Sequence, residues 1–254
     1  MSDHKIQSRF SNSARRYDRF SGLHRGIADQ LFDSVNKGPA PSALLDVGCG
    51  TGYLTVKLKE KYPSCRVIGL DFAQGMLEVA GTKHQEISWV LGDGHDLPFA
   101  DSGFDTVISN LAYQWAGDLS RAFSEARRVL AHRGVLACTL FGYNTCQELF
   151  QSLEEAKKSR LPFKRLPDVA QVREALAVGG FKSSDVGCAQ VKVEFKDMRE
   201  LIVWLKMIGA NNLSRGAYLG PATIAKAAAI YQEKFACRQG VRATFEVIQV
   251  YAGK

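Results

Sequence analysis

No long uncharged apolar run occurs in this chain, which argues against a membrane-spanning segment. The opening residues, Met1-Ser2-Asp3-His4-Lys5, carry no apolar signal region, so a cytoplasmic location is the expectation. The six cysteines, Cys49, Cys65, Cys138, Cys146, Cys188 and Cys237, include no C-x-x-C pair, and no histidine cluster accompanies them. That pattern speaks against a metal site and for reduced thiols used as small packing residues. Internal repeats and low-complexity segments are absent too. What remains is a chain of 254 residues, 46% apolar, enough for one large α/β domain with an elaboration or two small domains. The net charge is +7, from 33 Lys and Arg against 26 Asp and Glu. A basic surface favours acidic partners, nucleic acid or an acidic carrier protein among them, and charge alone does not choose between the two.

The most informative segment runs from 44 to 53: Leu-Leu-Asp-Val-Gly-Cys-Gly-Thr-Gly-Tyr. A short apolar run ends in an acid, Asp46, and Gly48, Gly50 and Gly52 follow at alternate positions. Such a run suits a buried strand, and the glycines let the backbone turn with no side chain between it and a ligand. Nineteen residues after Gly52, a second apolar run, Val67 to Leu70, closes on Asp71. A glycine loop followed by a strand-end acid is how a nucleotide-like ligand is held at the carboxyl edge of a parallel sheet. The spacing is G-x-G-x-G, and Tyr53 stands where a dinucleotide fingerprint places glycine. Gly52 is followed by Tyr53-Leu54, so the lysine of a P-loop is missing. With no cation in the loop and Asp46 at its entrance, the segment suits a cationic ligand better than a phosphate.

The periodicity predicts a helix from Ser21 to Val35, with Leu23, Ile27, Leu31 and Val35 on one face. From Leu44 to Phe141 strands and helices alternate: helices at 53–61, 74–81 and 118–130, strands at 87–91, 104–110 and 135–141. That alternation predicts a doubly wound, mostly parallel sheet. Beyond Phe141 the pattern changes. Helices are expected at 144–160, from Pro167-Asp168 to Gly179-Gly180, at 197–209 and at 221–236. Strands are expected at 191–195 and 244–251. Residues 1–20 read only as polar and basic, with Phe10, Tyr17 and Phe20 interspersed. A lone strand-end aspartate is most often a turn former or helix cap, the expectation for Asp96 and Asp105.

Asp46-x-Gly48-x-Gly50-x-Gly52 resembles the first motif of the class I S-adenosylmethionine-dependent methyltransferases. Gly92-Asp93-Gly94-His95-Asp96-Leu97-Pro98-Phe99 and Phe104-Asp105-Thr106-Val107-Ile108-Ser109-Asn110 resemble later segments of those enzymes, in the right order. Arg133-Gly134-Val135 departs slightly from their usual Arg-Gly-Gly. The resemblance implies a seven-stranded Rossmann-like sheet with a helical lid, here about 144–165 and 197–236, within one domain. It implies S-adenosyl-L-methionine as cofactor, with Asp71 on the ribose hydroxyls and Asp93 on the adenine amino group. The cofactor-binding residues it implies are Tyr17, Asp46, Gly48, Cys49, Gly50, Gly52, Asp71, Phe72, Met76, Gly92, Asp93, Gly94 and Asn110.

Three further segments carry a narrower resemblance: Arg9-Phe10-Ser11-Asn12-Ser13-Ala14 through Tyr17-Asp18, Ser109-Asn110-Leu111-Ala112-Tyr113-Gln114-Trp115, and Trp204-Leu205-Lys206-Met207-Ile208-Gly209-Ala210-Asn211-Asn212. They are similar to the malonyl-acyl-carrier-protein O-methyltransferases of biotin synthesis, over nearly the whole chain. That implies methylation of the free malonyl carboxylate on an acidic acyl carrier protein, giving the ester that primes pimeloyl chain synthesis. A malonyl carboxylate is ionised at pH 7, so no general base, and hence no catalytic residue, is expected. Ser109, Tyr113, Gln114, Lys206 and Arg215 are the candidates for the acceptor. Relatives carry Glu-Gly-Arg where this chain has Ser214-Arg215-Gly216, so its arginine is displaced. Trp115 is expected in the core. Two alternatives stay open: a methyltransferase for another small acceptor such as a quinone precursor, and a non-catalytic S-adenosylmethionine-binding protein. No Asn-Pro-Pro-Tyr-type segment follows the 104–110 strand, against nucleic acid as substrate. The glycine spacing opposes NAD.

Overall fold

The computed structural model describes residues 3–35, 39–162, 165–209 and 219–254. Its chain order is α1 (Asp3–Phe20), α2 (Gly22–Val35), β1 (Ala43–Val47), α3 (Tyr53–Lys61), β2 (Arg66–Asp71), α4 (Gln74–Ala80), β3 (Ser88–Leu91) and β4 (Phe104–Asn110). A 3₁₀ turn (Tyr113–Trp115), α5 (Leu119–Val129), β5 (Leu130–Phe141), α6 (Gln147–Lys157), α7 (Val169–Val178) and β6 (Ser183–Phe195) follow. The last elements are α8 (Met198–Met207), α9 (Pro221–Phe235), β7 (Ala236–Cys237) and β8 (Gly240–Gly253). Two compact units emerge: one formed by 1–140, 168–188 and 248–254, the other by 141–167 and 189–247. Among the described residues no helix is long and apolar enough to cross a membrane.

The sheet runs β3-β2-β1-β4-β5-β8-β6, with the two-residue β7 paired antiparallel to β8. The expected seven strands are thus joined by a short eighth. β1 pairs in parallel with both β2 and β4, and β3 and β5 extend the parallel set on either side. Chain order therefore reverses at the junction of β1 and β4. Carboxyl ends of neighbouring strands diverge at such a switch point and leave a crevice. The alternation of side chains explains the layering. Leu45, Val47, Val107, Leu136 and Cys138 join one buried cluster with α5 and α7, while Leu44, Ile108 and Ala137 join another with α2 and α3.

Two departures from the sequence reading have physical causes. Residues 3–20, read only as polar, form helix α1. Ile6, Phe10 and Ala14 are buried on one face, and Tyr17 continues it half-buried. The face docks tightly on α4: a Cβ at Gly75 would stand 2.5 Å from the Ser11 carbonyl oxygen. Strand β5 begins at Leu130 rather than Val135, because Phe104 pairs with Leu130 and Thr106 with Val135. The intervening residues bulge out around Arg133, which has a φ of 65°.

The second unit has its own supports. The buried Glu148 carboxylate accepts from the backbone N–H and the hydroxyl of Thr244. Glu246 accepts from Asn144 Nδ2 at 2.6 Å, and the Trp204 ring packs between Phe195 and Phe245. Helices α6, α8 and α9 belong to this unit, while α7 belongs to the first.

Acids at strand and helix ends show how structural carboxylates differ from candidate ligand groups. Asp118, Asp168 and Asp197 cap α5, α7 and α8, with a full capping box at Asp168. Asp105 Oδ2 accepts from Ser42 N, Ser42 Oγ and Ala43 N, tying the start of β1 to β4. Those bonds, the Ser42 hydroxyl's first, hold the Asp105 carboxyl below the usual carboxylate range. Asp105→Ala should cost about 1–3 kcal/mol in urea unfolding, the worth of lost charge-assisted hydrogen bonds, and leave ligand affinity unchanged.

Candidate functional site

The site is built on the carboxyl edge of β1, β2 and β4. After Val47 the chain turns through Gly48, Gly50 and Gly52, whose φ angles are 75°, 56° and 82°. Gly48 N and Cys49 N both donate to the Leu70 carbonyl, at 2.7 and 3.0 Å. Gly50 N donates to Asp71 Oδ2 at 2.8 Å, and Ala73 N to Asp71 Oδ1 at 2.8 Å. The loop is thereby fastened to the end of β2 by backbone and side chain together. The three glycines have different duties. A Cβ on Gly48 would stand 2.2 Å from the Ala112 Cβ, and one on Gly52 would stand 2.6 Å from the Trp89 ring. A Cβ on Gly50 would meet nothing within 4 Å among the described residues, so this is where bare backbone faces open space.

Two cavities flank the loop, both within the first unit. The first is the larger. Its apolar wall comes from Ile6 and Phe10 of α1 with Phe72, Met76 and Trp115; its polar groups include Asp71, Asp93, His95, Asn110 and Tyr113. The second lies against Asp46, Cys49, Thr51, Tyr53, Asp18, His24 and Arg25. Tyr17, Gly48, Gly50 and Asn110 line both.

The predicted residues divide accordingly. Tyr17, Gly48, Gly50, Asp71, Phe72, Met76, Gly92, Asp93, Gly94, Asn110 and Tyr113 line the first cavity, and Asp46 and Cys49 the second only. Gly52 lines neither; its place is under Trp89 at the start of α3. Ser109 and Gln114 are buried and line neither cavity. Lys206 is exposed on α8 in the second unit. Arg215 lies outside the described residues. Trp115, expected in the core, is half-buried at the first cavity with its ring 5.6 Å from that of Phe10. Ile6, Phe10, His24 and Arg25 were not singled out from sequence. The spacing of Ile6, Phe10, Ala14 and Tyr17 was the signal for the first two.

Electrostatics set the two loop acids apart. Asp46 is buried, with Oδ2 accepting from Thr55 Oγ1 at 2.6 Å. Burial outweighs that bond, the charge of Asp71 adds to it, and the carboxyl is pushed up to about 7. Burial also lifts Asp71 to about 6 against the pull of its backbone donors. The same burial, with both acids nearby, pushes the Cys49 thiol well up, so it is no nucleophile. For Asp93 burial works upward, but the His95 N–H and ring hold it below the ordinary range. His95 Nδ1 is 2.8 Å from Asp93 Oδ1, and Nε2 accepts from Asp118 N at 3.3 Å. That assigns the ring proton to Nδ1 and engages both ring nitrogens. Burial brings His24 down to about 4, leaving it a weak base.

The walls of the first cavity also hold an unused donor. Tyr113 is 3% exposed, its ring packs on Phe123 at 5.3 Å, and its buried hydroxyl has no hydrogen-bond partner among the described residues. Ser109 Oγ, fully buried on β4, is likewise without a partner. Asn110 is held from both sides, donating to the His24 carbonyl and accepting from Thr139 Oγ1. Leu111 takes a φ of 53° directly after it. This strain turns the chain toward the cavity wall.

Comparison with known proteins bears on this arrangement. The sequence family described as "Methyltransferase domain" matches residues 45–138, the segment that carries the loop and β1 to β5. The chain is 34% identical to the malonyl-[acyl-carrier protein] O-methyltransferase of Geobacter sulfurreducens, over 96% of each chain. It is 31% identical to the protein of the same name from Acetivibrio thermocellus, over 100% of this chain and 95% of that one. Among solved structures, the YcgJ protein of Bacillus subtilis superimposes with a TM-score of 0.64 at 17% identity, over 91% of this chain and 98% of that one. That last likeness concerns the fold.

The raised loop acids make a prediction about the ligand-free chain. Both carboxyls stand above their ordinary value of 3.8. Between pH 4 and 7 the folded chain therefore keeps protons that the unfolded chain has released, and stability falls as pH rises through about 6 and about 7. Asp46→Asn removes that loss at one site. Its stability relative to the unsubstituted chain should be more favourable at pH 8 than at pH 5, by urea unfolding at each pH. A pH-independent difference would show that Asp46 ionises as an ordinary carboxylate.

Proposed function

The chain belongs to the malonyl-[acyl-carrier protein] O-methyltransferase family, and we propose that it methylates the free carboxylate of a malonyl thioester on acyl carrier protein, using S-adenosyl-L-methionine, in the cytoplasm. The observation that carries this reading to the site is the first cavity. It joins a buried strand-end acid, an apolar wall, exposed glycine backbone and an unpartnered hydroxyl at one switch point. Asp71 is assigned to the ribose hydroxyls and Asp93 to the adenine amino group, with Ile6, Phe10, Phe72 and Met76 enclosing the apolar faces. Gly48, Gly50, Asn110 and Tyr17, which line both cavities, are assigned to the stretch of ligand that passes the loop.

The residues present fit this cofactor. A carboxylate pair raised by burial favours a ligand carrying positive charge. The glycine loop itself carries no lysine or arginine and its entrance is acidic, which opposes a pyrophosphate against it. S-adenosylmethionine, when bound, supplies an electrophilic methyl group.

The malonyl carboxylate is anionic at neutral pH and needs no proton removed before it attacks. That agrees with the commitments of His95 and the low basicity of His24. What the protein must supply is alignment, worth up to roughly 7–11 kcal/mol in favourable cases. Tyr113 is the residue assigned to orient the acceptor carboxylate, through the hydroxyl it buries without a partner. Ser109 and Gln114 support the same strand end. Lys206 and Arg215 are assigned to steer the anionic acceptor, and the 144–165 and 197–236 segments to act as its lid. A dry site would strengthen attack by an anion, because water no longer solvates the carboxylate.

Labelled methyl from S-adenosylmethionine should appear on malonyl-acyl carrier protein as a base-labile ester, with malonyl-coenzyme A run beside it. Transfer to a quinone precursor and to neither malonyl thioester would reverse the acceptor assignment. Tyr113→Phe should raise the acceptor KM by about tenfold, the worth of one hydrogen bond to a charged group, and leave donor affinity unchanged. An unaltered KM would return Tyr113 to packing alone.

A further inference from the structure

Among the described residues Arg25 is the one permanent cation lining the second cavity, and the cofactor assignment leaves it without a task. We infer that Arg25 binds the carboxylate of the amino-acid end of S-adenosylmethionine, a deepening that rests on the cofactor reading above. Among the described residues the first cavity is lined by no lysine or arginine and by a run of apolar side chains, which suits a nucleoside. The second sits on the opposite flank of the glycine loop and brings Asp46 and Arg25 to the same small space. An α-amino acid end carries an ammonium and a carboxylate, so it needs an acid and a base as neighbours. Acids alone would hold the ammonium and repel the carboxylate.

Arg25 is placed to do this. Its guanidinium lies over the Tyr53 ring at 5.1 Å, which fixes the plane of the group. One terminal nitrogen is 3.3 Å from Asp18 Oδ1. The buried Nε has no hydrogen-bond partner among the described residues. Asp18 does not consume the charge of Arg25. Its Oδ1 already accepts from Thr51 Oγ1 at 2.6 Å and its Oδ2 from Lys83 Nζ at 2.7 Å. Burial raises the Asp18 carboxyl, yet those partners hold it below its ordinary value. Asp18 thus divides its charge between Lys83 and Arg25. A planar, pre-positioned guanidinium with an unpartnered Nε is suited to take a carboxylate through charge-assisted hydrogen bonds. The competing role is structural, with Arg25 merely tying α2 to α1 through Asp18. A tie of that kind would serve every ligand of the loop alike.

The test uses the full chain and two ligands. S-adenosylhomocysteine keeps the amino-acid end; 5′-methylthioadenosine has the same nucleoside and a thioether but neither charged group. By titration calorimetry, Arg25→Ala should weaken S-adenosylhomocysteine at least about tenfold and leave methylthioadenosine within about twofold. Arg25→Lys should recover part of the loss. Thermal unfolding of each variant without ligand reads any change in fold separately. Equal losses for both ligands, or none for S-adenosylhomocysteine, would overturn the inference and leave the cofactor reading standing. An unsubstituted chain that binds neither ligand would overturn both.

Discussion

The hydrogen bond from Gly50 N to the buried carboxylate of Asp71 is the constraint on which the site depends. A carboxylate this deep is costly to ionise, and its backbone donors, Ala73, Gly50 and Phe72, only partly offset that cost. In return the glycine loop is anchored at the end of β2, where Leu70 also accepts from Gly48 and Cys49. A loop of small residues at positive φ would otherwise be free to take many shapes. Anchored in this way, it presents bare backbone at Gly50 and separates two cavities whose polar groups differ in kind. One offers acids and apolar walls; the other brings an acid and a guanidinium together.

The same anchoring explains why α1 belongs to the site. Helix α1 covers α4 through Ile6, Phe10 and Ala14, and Gln7 Nε2 donates to the Phe72 carbonyl one residue after Asp71. Tyr17, near its far end, lines both cavities. Burial and the nearby charges of Asp71 and Asp18 push the Tyr17 phenol up, so it serves as a neutral hydrogen-bonding group. Asp18 then ties this helix to Thr51 of the loop and to Lys83 after α4. Substitutions in α1 are therefore expected to act on the ligand and on the loop at once, which is why single-ligand affinities do not separate the two.

Much of the fold was legible in the sequence, and what was not has a reason. Helix α3 follows the expected bounds because Gly52 ends the loop and Lys61 precedes a turn. The strands β1, β2 and β4 were plain apolar runs closing on polar residues. The glycines could be placed because they stand at alternate positions in one short segment, and the acids because each follows an apolar run; Gly48, Gly50, Asp71 and Asp93 line the first cavity. Gly52 differs because its duty, clearance for Trp89 from β3, is a tertiary one. Helix α1 was hidden by its polar composition: only four apolar side chains define its face. Arg25 and His24 reach the loop only after the sheet has formed beneath α2, and nothing in their local sequence marks that. The bulge before Val135 depends on a register that a single strand does not reveal.

The central claim is that two buried carboxylates, at about 7 for Asp46 and about 6 for Asp71, stand ready for a cationic ligand. A cation bound beside them lowers both values and so expels protons. Titration calorimetry with S-adenosylmethionine near pH 6.5, in two buffers of different ionisation enthalpy, measures this directly. The account predicts net proton release on binding, reduced in Asp46→Asn. Binding with no proton exchange, or with proton uptake, would contradict it.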